Sequence, residues 1–202
     1  MHMIRVFVGL IALLPAWVIA AGDAEAGKVL AAPCAACHGQ NGVAVVPGAP
    51  NLAGQNRRYL ESQLLRYQSG ARVAPLMTGQ VTNMTPIDLE NLAAYFGAMP
   101  APVGQASGDQ IAVGEQIYRG GIADRRVPAC TACHSPTGSG NGPAGYPRLG
   151  GQQSDYVIAQ LTAYREGVRA TDEAYGNTMR QAVNGLTDGQ IRAVASYIQG
   201  LH

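Results

Sequence analysis

The chain has 202 residues, 14 of them Lys or Arg and 13 Asp or Glu, with 47% hydrophobic and 6% aromatic residues. A near-neutral balance with no basic run gives no reason to expect nucleic acid as a partner, and the length suits one large domain or two small ones. So low an aromatic content leaves a core of this size short of apolar bulk.

The chain opens on a leader. In residues 1–20, Arg5 gives a basic start, Val6 to Ala20 is an apolar run broken only by Gly9 and Pro15, and Val18-Ile19-Ala20 is a small-residue cleavage site. The run is short for a membrane span of about 20 residues, so cleavage is expected, with retention as an uncleaved tether the alternative. Loss of Arg5 leaves 13 basic and 13 acidic residues, five of each in 21–100 and eight of each in 109–202.

A short helix near 23–32 leads into Cys34-Ala35-Ala36-Cys37-His38, and the pentad returns as Cys130-Thr131-Ala132-Cys133-His134. Each is the attachment signature of a c-type haem. Two thiols three positions apart add to the two vinyl groups, and the adjacent imidazole becomes the proximal iron ligand. A redox dithiol or half a zinc site also uses Cys-x-x-Cys. Neither explains a His after each second Cys, in two copies that take all four cysteines of the chain. Two covalently bound haems c are therefore expected, held by Cys34, Cys37, Cys130 and Cys133. They would supply the missing apolar bulk, so the apoprotein should fold poorly. Because c-type haem is joined to protein on the outer side of the bacterial inner membrane, export fits, and a periplasmic protein is expected, free or peripheral on the membrane.

After each pentad comes a Gly/Pro-rich loop, then an amphipathic helix near 56–69, with Leu60, Leu64 and Tyr67 on one face, or its copy near 153–166. The last helix of each half opens on a capping box, Thr85 with Asp88 behind Pro86 and Thr187 with Gln190. Leu89, Leu92 and Phe96 form the first buried stripe, and Ile191, Val194 and Ile198 the second. With no convincing strand alternation, the fold class is all-α.

The halves are a tandem duplication. Pro50 to Gln55 answers Pro147 to Gln152, and Tyr59, Gln63, Tyr67 and Arg72 recur 97 places later as Tyr156, Gln160, Tyr164 and Arg169. The offset grows to 102 in the C-terminal helices, which places about nine extra residues before Cys130 and about five before Met179. The expected organisation is a signal at 1–20, domains at 21–100 and 109–202, and a linker at 101–108.

The repeat also assigns the second iron ligand. Apart from His38 and His134 the only histidines are His2, in the leader, and His202, so bis-histidine ligation of both haems is excluded by counting. Methionine is the remaining strong ligand. Met77 and Met179 each lie 18 residues before the equivalent Tyr95 and Tyr197, whereas Met84 aligns with Leu186 and Met99 has no counterpart. His38 with Met77 and His134 with Met179 are the expected axial pairs, and Met84 is the rival in the first half. The carbonyls of Pro50 and Pro147 are the candidate acceptors for the second N–H of each imidazole, unless these prolines only shape a turn. Tyr59, Gln63, Tyr156 and Gln160 are repeated polar positions that could reach haem propionates, a domain interface or only the helix surface.

Taken together, the start Ala21 to Lys28, both pentads, Asn51 to Gln55, Met77-Thr78-Gly79, Arg119-Gly120-Gly121 and the ending Ser196 to His202 resemble the cytochromes c4, the dihaem branch of the class I cytochromes c. Arg148 departs from the Pro-Asn-Leu loop pattern. The resemblance implies two class I domains related by a pseudo-twofold axis, with haem propionates near the shared interface. It also implies electron delivery towards a terminal oxidase, often in association with the membrane.

The expected function is one-electron transfer by two low-spin His/Met haems, with no catalysis by the chain itself. Its partners would be redox proteins: a cytochrome bc complex or a dehydrogenase upstream, and an oxidase downstream. The alternative is the haem subunit of a periplasmic dehydrogenase, such as a flavocytochrome that oxidises sulfide.

Overall fold

A computed structural model describes residues 22–202, and the leader read at 1–20 lies outside the described residues. The first half contains α1 (Ala24–Leu30), α2 (Ala35–His38), α3 (Arg57–Gln68), α4 (Pro75–Val81) and α5 (Pro86–Ala98). The second contains α6 (Ile111–Gly120), α7 (Thr131–His134), α8 (Ser154–Arg165), α9 (Thr178–Val183) and α10 (Asp188–Gln199). No strand forms among the described residues, and the only extended pairings there are two isolated bridges, Ile122–Val127 and Asn141–Tyr146.

Local chemistry sets the helix ends. Asp23 caps α1 by accepting from the N–H groups of Glu25 and Ala26. That helix stops at Leu30, short of the 32 read from sequence, and a 3₁₀ turn over Ala32–Cys34 follows. Pro33 sits inside this turn and has no N–H to continue an α ladder. Both capping boxes form as expected, at Thr85/Asp88 and Thr187/Gln190. The extra residues before Cys130 make a small hairpin, Ile122 pairing with Val127 around a 3₁₀ turn at Ala123–Arg125.

In each half the first helix crosses the last, α1 on α5 and α6 on α10. The crossing is close enough to demand glycine. A Cβ on Gly27 would lie 2.0 Å from the carbonyl oxygen of Asn91, and one on Gly114 would lie 2.2 Å from that of Ala193. Neither backbone can yield without separating the helices. Gly114→Ala is expected to destabilise the holoprotein by about 3 kcal/mol, the upper range for overpacking. Gly120→Ala, where nothing lies within 4 Å, should be tolerated. Thermal melts of the two variants check this, and equal melting points would contradict it.

The expected stripes are the core. Leu89, Leu92 and Phe96 are buried in α5, as are Ile191, Val194 and Ile198 in α10.

The two halves grip each other reciprocally. Gln55 accepts from the N–H of Arg148 at 2.7 Å and donates to its carbonyl at 2.9 Å. Gln152 does the same to Asn51, at 2.8 and 3.0 Å. Gln55 and Gln152 are repeat equivalents, and so are Asn51 and Arg148. Each half thus presents one patch to the same patch of the other, the signature of a twofold relation. Gln55 grips only the backbone of residue 148, so Arg148 keeps this pair of bonds. The bond that the Asn51 side chain donates to the Gly151 carbonyl at 2.8 Å has no counterpart from Arg148, which donates to Gly150 of its own half.

Candidate functional site

The two pentads sit alike. Cys34 closes the 3₁₀ turn and Cys37 and His38 lie on α2; Cys130 precedes α7, which carries Cys133 and His134. Both histidines are buried. The Nδ1–H of His38 donates to the Pro50 carbonyl at 2.8 Å, and that of His134 to the Pro147 carbonyl at 3.0 Å. A carbonyl only accepts, so Nδ1 holds the proton and Nε2 keeps a free lone pair. Burial favours the neutral ring in both. These are two imidazoles fixed in the tautomer and orientation a metal ligand requires.

Thiol chemistry argues against the other uses of Cys-x-x-Cys. Burial raises the Cys34 thiol and pushes that of Cys130 up to about 11. A redox dithiol needs the opposite shift. No three His, Cys, Asp or Glu side chains among the described residues converge as a zinc site would need.

Both pentads open on one continuous cavity of about 700 Å³. In the first half it is lined by Leu52, Leu60, Leu64, Phe96, Met77 and Met84, and in the second by Leu149, Val157, Leu161, Ile198 and Met179. Such a hollow, mostly apolar and edged by two Cys-x-x-Cys-His turns, has the lining a macrocycle needs in each half. This fits the group that the motif implies.

Met77 lies on α4 and Met179 on α9, short helices in equivalent places that were not foreseen. At seven and six residues, they are too short for a hydrophobic period to register. Met84 also lines the cavity, while packing among the core residues of the first half; its equivalent Leu186 is buried core. Met99 caps α5, packs against the core, and lies away from the cavity lining.

Tyr59, Gln63, Tyr156 and Gln160 turn out to join the halves rather than decorate helix surfaces. Arg72 donates to Tyr156 and Gln160 across the interface, both at 2.8 Å, and Arg169 donates to Tyr59 and Gln63, both at 2.9 Å. The repeat had marked Arg72 and Arg169 as equivalents. Their role was not read, because sequence alone gives no sign that a guanidinium is buried.

One backbone position differs in cost between the halves. The residue after each ligating-type His turns out of its helix with φ near 69° and ψ near 160°, as Gly39 in the first half and Ser135 in the second. This region is essentially reserved for glycine. Ser135 is held there by a hydrogen bond from the Ser139 N–H to its Oγ and one from the Tyr118 hydroxyl to its carbonyl. Ser135→Gly should relieve the strain and stabilise the protein by about 1 kcal/mol. Denaturant titration checks this; a lower midpoint for the variant would show that the Ser139 bond outweighs the strain.

Known proteins place the whole arrangement. A family model described as cytochrome c matches residues 24–99 and again 111–202. The cytochrome c4 of Pseudomonas aeruginosa is 47% identical over 185 residues, covering 91% of this chain and 90% of that protein. The thiosulfate dehydrogenase electron acceptor of Stutzerimonas stutzeri is 37% identical over 168 residues, covering 81% and 76%. Among solved structures, reduced recombinant cytochrome c4 from Pseudomonas stutzeri superposes with a TM-score of 0.87 at 43% identity, over 90% of this chain and 100% of that one.

Proposed function

Since the chain belongs to the cytochrome c family, and within it to the dihaem electron-transfer proteins called cytochromes c4, we propose that it carries single electrons from a respiratory donor towards a terminal oxidase in the periplasm. It binds two haems c covalently, and the haem iron supplies the reversible one-electron couple. On this reading Cys34 and Cys37 hold one haem and Cys130 and Cys133 the other, with His38 and Met77, and His134 and Met179, as the axial residues. The domains are 21–100 and 109–202, joined by 101–108, and residues 1–20 are a cleaved export signal. No helix among the described residues is long and apolar enough to cross a membrane.

The carrying observation is the pair of His–Pro bonds beside one cavity that a methionine lines in each half. The proline carbonyls fix the imidazoles and raise their basicity. The thioethers of Met77 and Met179 would complete a soft, non-exchanging site that favours the reduced state. The apolar lining excludes water, which raises the potential further. With the imidazole nitrogens and the thioethers committed to iron on this reading, none of these residues is left free to act on a substrate.

The test is to mix pre-reduced holoprotein with oxidase-containing membranes of the source organism. Both haems should be oxidised rapidly, and cyanide should stop it; oxidation no faster than in buffer would count against an oxidase as acceptor. A second reading, a haem protein serving a periplasmic dehydrogenase, draws support from the similarity to a thiosulfate dehydrogenase electron acceptor. Stable, stoichiometric co-purification with a dehydrogenase would favour it.

A further inference from the structure

The second half holds about five residues before Met179 that the first half lacks, and electron carriage by itself gives them no task. They fold as a 3₁₀ turn, Glu173–Tyr175, just ahead of α9. Asp172, at the start of this turn, is 4% exposed. Its carboxylate accepts from the Arg180 Nε–H at 2.8 Å and from the Arg180 backbone N–H at 2.9 Å. Its carbonyl accepts from the N–H of Asn177 at 3.0 Å. The chain is therefore tied to Asp172 on both sides of Met179. The Thr178 hydroxyl donates to the Tyr175 carbonyl and the Gln181 amide to that of Gly176, which closes the loop on the same turn of helix.

A buried carboxylate is unfavourable unless it is paired and hydrogen-bonded, and Arg180 supplies both. The exposed Glu173 stands further from the same guanidinium, at 3.7 Å. The main-chain bond adds to the hold. The first N–H groups of a helix have no partner within it, and Asn177, at the cap position of α9, makes no side-chain cap. Asp172 fills that role from upstream.

Among the described residues the first half has no such device. No charged residue occurs between Arg72 and Asp88. Helix α4 opens on Ala74, which makes no side-chain cap, and on Pro75, which has no N–H. Leu76, next to Met77, is 87% exposed. This turn is tied to α3 by a neutral bond, from the Thr78 hydroxyl to the Tyr67 carbonyl at 3.2 Å. The far ends of the two segments are anchored alike. Gln68 donates to the Met84 carbonyl at 2.7 Å, and its equivalent Arg165 to the Leu186 carbonyl at 3.0 Å. The halves thus differ at the methionine and not behind it.

Resting on the electron-carrier reading, we propose that Asp172 and Arg180 form a clasp that holds Met179 on the second haem iron, and that Met77, lacking one, yields to outside ligands much faster. Both are positioning residues. Admitting an outside ligand means moving the thioether out of the cavity that both methionines line. The turn that carries it is free to follow in the first half and tied in the second. The ties are charge-assisted, and such bonds are roughly twice as strong as neutral ones.

The test is rapid mixing of the oxidised holoprotein with excess cyanide, following the bleaching of the red methionine–iron charge-transfer band. Cyanide takes the place of the thioether on ferric iron with no change of oxidation state. Two phases of equal amplitude are expected, one per haem, with rates about tenfold or more apart, the scale set by a charge-assisted hydrogen bond. Met179→Ala should remove the slow phase and Met77→Ala the fast one. Asp172→Asn should speed the slow phase by about tenfold and leave the fast phase alone. If that variant does not mature, Arg180→Gln, at a side chain 24% exposed, should do the same. Arg180→Lys, which keeps a cation within reach of the carboxylate, should stay closer to the parent rate. Ile191→Val loosens the buried core of the same half away from the cavity lining, and should leave the slow phase unchanged.

One common rate in the parent, exchange at neither haem, or a slow phase that belongs to Met77 overturns the clasp. So does a slow phase that the Asp172 or Arg180 variant leaves unmoved, or that Ile191→Val moves as much. Each of these leaves the electron-carrier reading standing. Absence of the band from the parent protein would sink that reading instead.

Discussion

Met77→Ala is expected to lower the potential of one haem and open its iron to carbon monoxide while leaving the other haem as in the parent protein; Met179→Ala should do the same to the second. A thioether is a soft donor that stabilises ferrous over ferric iron, so its loss favours the ferric state. Axial ligands move haem potentials over roughly 0.8 V, and a drop of ~0.2 V in the affected haem is expected. Met84→Ala provides the contrast. That side chain packs between the two core clusters of the first half, so its loss should cost about 2 to 5 kcal/mol of stability and leave the charge-transfer band in place. If Met84→Ala removes the band and Met77→Ala does not, the ligand of the first half is Met84.

The chain made without haem attachment should show no cooperative unfolding transition. An unfilled hollow of about 700 Å³ leaves a large part of each half's apolar lining without packing partners or open to water, in a domain whose net stability is only roughly 5 to 15 kcal/mol. The hollow lies between α3 and the last helix of the first half and their copies in the second, whose inner side chains would lose packing partners on one side. Calorimetry of a preparation with Cys34, Cys37, Cys130 and Cys133 all changed to Ser checks this, and a sharp melt with native-like enthalpy would contradict it.

Much of this was legible in the sequence because duplication supplies an internal control. A lone Met is usually core filler, but Met77 and Met179 keep the same distance to Tyr95 and Tyr197, which singles them out. Pro50 and Pro147 were readable because a ligating imidazole needs an acceptor and the loop after it must return. Capping boxes and the stripes on α5 and α10 follow from spacing alone.

Other features were hidden for physical reasons. Helices α4 and α9 are too short to show a period. Gly27 and Gly114 look like ordinary glycines until the crossing helix is in place. The strain at Ser135 is invisible because nothing in a serine signals a positive φ. Arg72 and Arg169 were visible as a repeated pair, but burial of a charge is a tertiary fact. The exchange of Asn51 for Arg148 looked like a departure, and the gripped backbone explains why the pair of Gln55 bonds survives it.

The most direct test is a redox titration of the purified holoprotein, with haem counted and carbon monoxide present or absent. The account predicts two haems per chain, both of high potential, with spectra and midpoints unchanged by carbon monoxide because His38 with Met77 and His134 with Met179 fill both axial positions. A haem in the unaltered protein that binds carbon monoxide readily would mean an open iron, and would contradict an electron carrier with two closed sites.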